Sequence, residues 1–274
     1  MEMMPMTLSL TNLPDGREIH CVNAYEVDFS VHEIFDDSLL AHGIELPVDG
    51  VFFDVGANIG LFSLHLLDQC PSARIFAYEP MPESFAALER NLAGKAGVFA
   101  MGLGAVPGEV EFDYFPGITA LSSCHGPASA QLVKGMREIL YGSSASLAVA
   151  DLVDKTGASQ QVAASPEFVE QLFISRKVRA KIDTLSRQIR QHRLSHIDLL
   201  KIDTEGAEKD VLAGLDDEDW GKIRQLFVEV HLGKAETDLM ERQIEARGFH
   251  TTIGHHPLAN AVLPVFHIYA KRII

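Results

Sequence analysis

Residues 51–60 read VFFDVGANIG, and 23 residues past Gly56 a second apolar run, IFAYEP, delivers Glu79. The first run is a buried strand entering a tight glycine turn that opens a helix. The second is a neighbouring strand ending on one carboxylate. An open α/β sheet holds a nucleoside in this way, with the carboxylate on the ribose hydroxyls and the turn under the tail. An ordinary strand-to-helix turn, with small residues for packing alone, would not need Glu79 at that distance.

Dinucleotide turns favour G-x-G-x-x-G, because pyrophosphate must approach bare backbone at a helix N-terminus. Here Asp54 precedes Gly56-Ala57-Asn58-Ile59-Gly60, with the glycines four apart. The pattern resembles motif I of S-adenosylmethionine (SAM)-dependent methyltransferases, D-x-G-x-G-x-G, with Asn58 in the middle glycine's place. Asn enters left-handed backbone more readily than other non-glycine residues, so the exchange is mild. An acidic residue on the strand suits the amino group of a methionine tail and repels pyrophosphate, which disfavours a nicotinamide-binding domain.

The 274 residues suffice for one sizeable core with material left for a cap or insertion, and 47% hydrophobic with 22% charged residues is ordinary for a globular enzyme. Cys21, Cys70 and Cys124 are odd in number and far apart, which argues against a disulfide framework and for a reducing cytoplasm. No signal peptide and no membrane-length apolar run is read. A net charge of −15 would repel a phosphate backbone, so nucleic acid is not an expected partner. The one loose basic stretch, Arg176 to Arg193, reads as a solvated helix face.

Residues 7–23 predict a hairpin turning at Leu13-Pro14-Asp15-Gly16, and Val27, Val31, Ile34, Phe35 and Leu39 predict an amphipathic helix within 25–41. Alternation then begins: strands at 51–55, 74–78 and 97–101 with helices 59–69 and 83–93, then an extended run at 109–115. Strands 197–202 and 223–230 alternate with helices 206–213 and 236–247, and two last strands lie near 249–254 and 263–270. The expectation is an α/β fold with a mostly parallel sheet covered on both faces. Residues 1–45 read as a hairpin and helix extension and 46–274 as the main domain. An insertion at about 116–180, with helical patterns near 130–141, 145–156 and 166–174, reads as a lid or a homodimer contact.

Polar residues just past the carboxyl end of a parallel strand face the binding crevice. Asp203 and Glu205 sit there after IDLLKI, and Glu229 and His231 sit there in FVEVH, on one side of their strand by alternation. Blander readings exist. Asp203 and Glu205 can cap the next helix, Glu229 can pair with Lys201, and His125 can be an ordinary loop histidine.

Together VFFDVGANIG, YEPMP, LLKIDTEGAE and FVEVH resemble the FkbM-type methyltransferases, and NAYEVDFSVHEIF and LSSCHG are similar to the macrolide and polyketide O-methyltransferases within them. The resemblance spans roughly residues 10 to 270. It implies a Rossmann-like seven-stranded sheet whose last strand is antiparallel, with SAM as cofactor and a small-molecule hydroxyl as methyl acceptor. Candidate cofactor contacts are Asp54 to Gly60, Glu79, Pro80, Gly102, Leu103 and Asp203. Polyketide, macrolide and sugar or glycan acceptors fit the family, including an acceptor bound to a carrier protein. A SAM-binding module without turnover is the alternative from another class. An aliphatic hydroxyl needs help losing its proton. His231 oriented by Glu229, His125, or Mg²⁺ or Mn²⁺ held by Asp203, Glu205 and Glu229 can each supply it. The residues leave these routes open.

Overall fold

In a computed structural model, residues 8–35, 38–126, 130, 133–135, 137, 170–255 and 265–273 are described. The N-terminal hairpin pairs β1 (Ser9–Asn12) with β2 (Glu18–Cys21) around the expected turn. Helix α1 (Ala24–Ile34) and the short α2 (Ser38–Ala41) replace the one helix expected over 25–41. The alternating region opens with β3 (Val51–Val55), α3 (Leu61–Gln69), β4 (Arg74–Tyr78), α4 (Pro82–Asn91) and β5 (Gly97–Phe99).

Next come β6 (Gly102–Leu103), β7 (Gly108–Tyr114), a 3-10 turn at Thr119–Leu121 and β8 (Arg176–Asp183). After α5 (Leu185–Gln191), β9 (Leu199–Ile202), α6 (Glu208–Ala213) and α7 (Asp217–Trp220), the chain adds β10 (Gln225–Val230) and α8 (Lys234–Glu245). It closes with β11 (Phe249–His255) and β12 (Phe266–Arg272).

Seven strands form the expected sheet, in the order β11-β12-β10-β9-β3-β4-β5. The inner neighbours are parallel, whereas β12 runs antiparallel to both β10 and β11. The last strand is therefore the antiparallel one.

β3 shows why its sequence reads as an unbroken apolar run. Alternation sends Val51, Phe53 and Val55 to one face, packed with Ile189 of α5, Val211 of α6 and Ile244 of α8. Phe52 goes to the other face with Phe62 and Leu66 of α3. Helices α1, α3 and α4 share that second face through Val27, Val31, Leu64 and Leu88.

The basic stretch from Arg176 is a helix face only in its second half, where Arg187 and Arg190 are exposed on the helix Leu185–Gln191. Its first half, RKVRAKID, has period two, so Val178, Ala180 and Ile182 pack on Phe112 and Tyr114 while Arg179 and Lys181 face outward. It forms β8 between β6 and β7 in a separate three-stranded sheet. Thr184 then caps α5, its hydroxyl accepting from Arg187 N at 3.3 Å. Of the helical patterns in the insertion, 145–156 lies outside the described residues. Helical backbone is described at 130, 133–135, 137 and 170–172.

Candidate donor and methyl-transfer site

The parallel strands β3, β4, β9 and β10 all end at the same edge, and each carries polar residues just past its end. They line one cavity of about 290 Å³, with Gly56, Glu79, Asp203 and His231 among its walls. Ala57, Asn58, Ile59, Pro80, Gly102 and Leu103 line it too.

At the turn, Gly56 N and Ala57 N both donate to Tyr78 O, which ties the end of β3 to the end of β4. Asn58 takes φ 47°, the left-handed backbone that an asparagine tolerates. Gly60 has φ 94°, and a Cβ there would lie 2.8 Å from Leu88 Cδ1, so the second glycine is fixed by both conformation and the packing of α4. Glu79 accepts from Asn58 N at 2.9 Å and from Met81 N at 2.7 Å, one amide on each carboxylate oxygen. Each oxygen keeps acceptor capacity for a further hydrogen bond. Burial pushes this carboxyl up to about 7, against the pull of the Met81 and Asn58 amides.

Asp54 stands behind the wall. Fully buried and absent from the cavity lining, it accepts from Ser63 Oγ at 2.7 Å and lies 3.1 Å from Lys201 Nζ. A direct contact between Asp54 and a donor amino group is therefore not what the geometry offers. Lys201 Nζ also donates to Gly56 O at 2.8 Å and meets Asp203 Oδ2 at 3.2 Å. Burial opposes the lysine charge, but Asp203 and Asp54 outweigh it and raise the ammonium pKa. Lys201 thus joins the two strand ends under the turn, and it is not the partner of Glu229.

At the other end of the cavity, His231 is 4% exposed and ringed by carboxylates. Its Nδ1 lies 3.0 Å from Glu208 Oε1; its Nε2 lies 3.2 Å from both Glu205 Oε2 and Glu229 Oε1, and 3.9 Å from Asp203 Oδ1. Burial resists protonation of the imidazole, yet Glu205, Glu208 and Glu229 together raise its pKa well above the ordinary value. The Glu205 carboxyl is also raised, first by burial and then, against the pull of His231, by its acidic neighbours. The N-cap of α6 is Ala207, which offers no capping side chain. Glu208 instead turns back to accept from Gly206 N at 2.8 Å and Thr204 N at 3.2 Å. His125 is not among the lining residues; it pairs with Asp210 at 3.0 Å, with 40% of its side chain exposed.

Ligand atoms of Asp203, Glu205 and His231 lie within 4.8 Å of one another, a two-carboxylate, one-imidazole set that suits a divalent cation. Glu229 adjoins this set through His231, so Asp203 and Glu205 gather with the histidine rather than with Glu229 as a carboxylate triad.

Two contributors escape sequence reading. His267 on β12 lies opposite Glu229 in register, its Nε2 3.1 Å from Glu229 Oε2. His42 stacks on Tyr269 with ring centroids 4.0 Å apart, and both line the cavity. The alternation of His267 and Tyr269 in FHIYAKR was the only available signal, and it names a face without naming its neighbour.

The profile of the Methyltransferase FkbM domain matches residues 54–251. 31-O-demethyl-FK506 methyltransferase FkbM of Streptomyces tacrolimicus is 36% identical over 227 residues, covering 80% of this chain and 80% of that protein. Methyltransferase sdnD of Sordaria araneosa is 31% identical, covering 89% of this chain and 92% of that one. AMB antimetabolite synthetase AmbE of Pseudomonas aeruginosa is 34% identical over 95% of this chain, but the match spans only 12% of its length. No helix among the described residues is long and apolar enough to cross a membrane. With a profile match running from the motif I turn through the start of β11, the chain belongs to the methyltransferase FkbM domain family.

Proposed function

We propose that the protein is a SAM-dependent O-methyltransferase acting on a hydroxyl of a small molecule, of polyketide or macrolide type. The observation that carries this reading is a single cavity with Glu79 on one wall and the Glu205–Glu229–His231 group on another. Glu79 offers two acceptor oxygens for vicinal ribose hydroxyls. Pro80, Gly102 and Leu103 border the adenine side, and the Gly56 turn the methionine side. The name of the Streptomyces relative, a 31-O-demethyl-FK506 methyltransferase, supports a hydroxyl acceptor of that class.

Methyl transfer from a sulfonium is an in-line displacement, so alignment of donor and acceptor supplies much of the rate. In the proposed reaction an acceptor hydroxyl lies by the His231 group, which takes its proton as oxygen attacks the methyl carbon, the carbon–sulfur bond breaks and S-adenosylhomocysteine leaves with the electron pair. In the alternative route, in which an ion and not the ring activates the hydroxyl, Asp203, Glu205 and His231 are the residues that would hold Mg²⁺ or Mn²⁺. Such an ion supplies polarisation of the hydroxyl when bound. The free thiols Cys21, Cys70 and Cys124 support work in the reducing cytoplasm.

The test is calorimetric titration with SAM, S-adenosylhomocysteine and NAD, with and without Mg²⁺ or Mn²⁺. Acceptor screening by mass spectrometry, reading a gain of one methyl, follows. SAM binding without NAD binding supports the donor site. Absence of SAM binding under all conditions would sink the reading.

A further inference from the structure

We propose that Glu26 of α1 is a positioning residue for the donor, holding the Asn58 turn through Thr119 so that the N-terminal extension becomes part of the SAM site. The proposal rests on the donor reading above.

Glu26 is the point where three segments remote in sequence meet. Asn23 Nδ2 donates to Glu26 Oε2 at 2.8 Å and to Pro116 O at 2.5 Å, which joins α1 to the chain leaving β7. The Thr119 hydroxyl lies 3.3 Å from each Glu26 oxygen, and Ala120 N lies 3.4 Å from Oε1. Asn58 Nδ2 lies 3.1 Å from Thr119 Oγ1, and Asn58 N donates to Glu79 Oε2 at 2.9 Å. Hydrogen bonds therefore run unbroken from α1 to the carboxylate assigned to the ribose.

Directionality gives this chain its purpose. A threonine hydroxyl has one proton to donate. The Glu26 carboxylate competes for it against Asn58 Oδ1, 3.3 Å away, and a charged acceptor makes the stronger bond. With that proton on Glu26, Thr119 Oγ1 is left to accept from Asn58 Nδ2, which sets the orientation of the amide. Without Glu26 the proton goes to Asn58 Oδ1 and the amide loses its fixed direction. Asn58 and Thr119 both line the cavity, and Asn58 is already held in left-handed backbone, so its orientation bears on the donor directly. Burial pushes the Glu26 carboxyl up to about 7 against the pull of the Asn23, Ala120 and Thr119 donors, so the charged acceptor prevails above that value and the titrations are made there.

The experiment is a double-mutant cycle on the full chain, with Glu26→Ala, Thr119→Val and the double variant titrated calorimetrically with SAM and S-adenosylhomocysteine. Each single substitution is expected to weaken binding by about tenfold. The double variant is expected to be no weaker than the worse single, because both break the same chain. Glu26→Gln, which still accepts from Thr119, should recover part of the affinity. Thermal unfolding is followed in parallel, and Glu26→Gln and Thr119→Val carry the test where Glu26→Ala fails to fold. Unchanged affinity in the variants, or losses that simply add, would overturn the proposal while leaving the donor site standing. A wild-type protein that binds no SAM would overturn the donor reading and this proposal together.

Discussion

Gly56 and Asp203 approach so closely that a Cβ on Gly56 would lie 1.7 Å from the Asp203 carbonyl oxygen. The turn after β3 is pressed against the end of β9, and Asp203 N donates to Val55 O at 3.0 Å beside it. Gly56 also has φ 78°, where a side chain is strained by about 1–3 kcal/mol before any clash. Gly56→Ala should therefore displace the turn from Asp203 and misplace the donor, and a shift of about 1 Å can cost about 10²-fold in rate. SAM titration and thermal unfolding of this variant check it: both should fall. A variant with wild-type affinity would show that the contact is not needed.

Among the described residues Lys201 is the cation paired with Asp54, and both are buried. Removing the lysine as Lys201→Met leaves the carboxylate uncompensated, at a cost of about 3–5 kcal/mol. Lys201→Met/Asp54→Asn, which removes both charges, should regain much of that loss, since neutral partners of similar shape avoid the desolvation of a lone charge. Urea midpoints of the two variants at neutral pH decide the matter. Equal destabilisation in both would mean that packing, not charge, dominates.

Why the Asp54–Lys201 pair could not be read from sequence explains the division between legible and hidden features. β3 and β4 were legible because both faces are buried and their runs are continuously apolar. Glu229 and His231 were legible as neighbours because alternation along β10 and one residue past its end is a local rule. Lys201 reads as a possible partner of Glu229 on the adjacent strand, and only the fold shows that β9 turns it towards Asp54 and Gly56 instead. His267 meets Glu229 through cross-strand register, which no local pattern sets. Glu208 lay within a recognised motif, but its backward reach to His231 depends on Glu205 adopting φ 53° in the intervening turn. Of the basic stretch at 176–193, Arg187 and Arg190 do lie on an exposed helix face, whereas residues 176–183 form a strand, marked by the period-two spacing of Val178, Ala180 and Ile182.

Glu79 predicts a pH dependence of donor binding. Its carboxyl is raised from 4.5 to about 7 by burial, so the folded protein favours the neutral form between those values. Ionised Glu79 then costs stability, a penalty absent at low pH that grows as pH climbs from the unfolded value and levels off above about 7. Ribose hydroxyls donating to the carboxylate favour the charged form. SAM affinity should accordingly rise from about one pH unit below 7 to about one above it, with a proton released on binding. Titrations in buffers of different ionisation enthalpy measure that proton. In Glu79→Gln, affinity should fall and this part of the pH dependence should disappear; a profile identical to wild type would assign the titration elsewhere.

His231 gives the last prediction, on turnover. The imidazole pKa is held well above 6.5 because Glu205, Glu208 and Glu229 outweigh the burial that opposes its charge. Sign matters here in two ways. The stability that the protonated ring gains from these carboxylates is complete below the unfolded value and is lost as pH rises through the folded one. Proton abstraction by the ring needs the form lacking the proton, so kcat for methyl transfer should increase with pH well above 6.5. Because His231 Nε2 lies 3.2 Å from Glu205 Oε2, the charge on each bears on the other and the limb reports the group and not the ring alone. Replacing the ring as His231→Ala should lower kcat by about 10²–10⁴-fold and flatten that limb, with SAM affinity changed far less. A matching collapse of SAM affinity would instead make His231 a structural member of the wall, whereas a steep kcat loss with the donor still bound would place it at the methyl-transfer step.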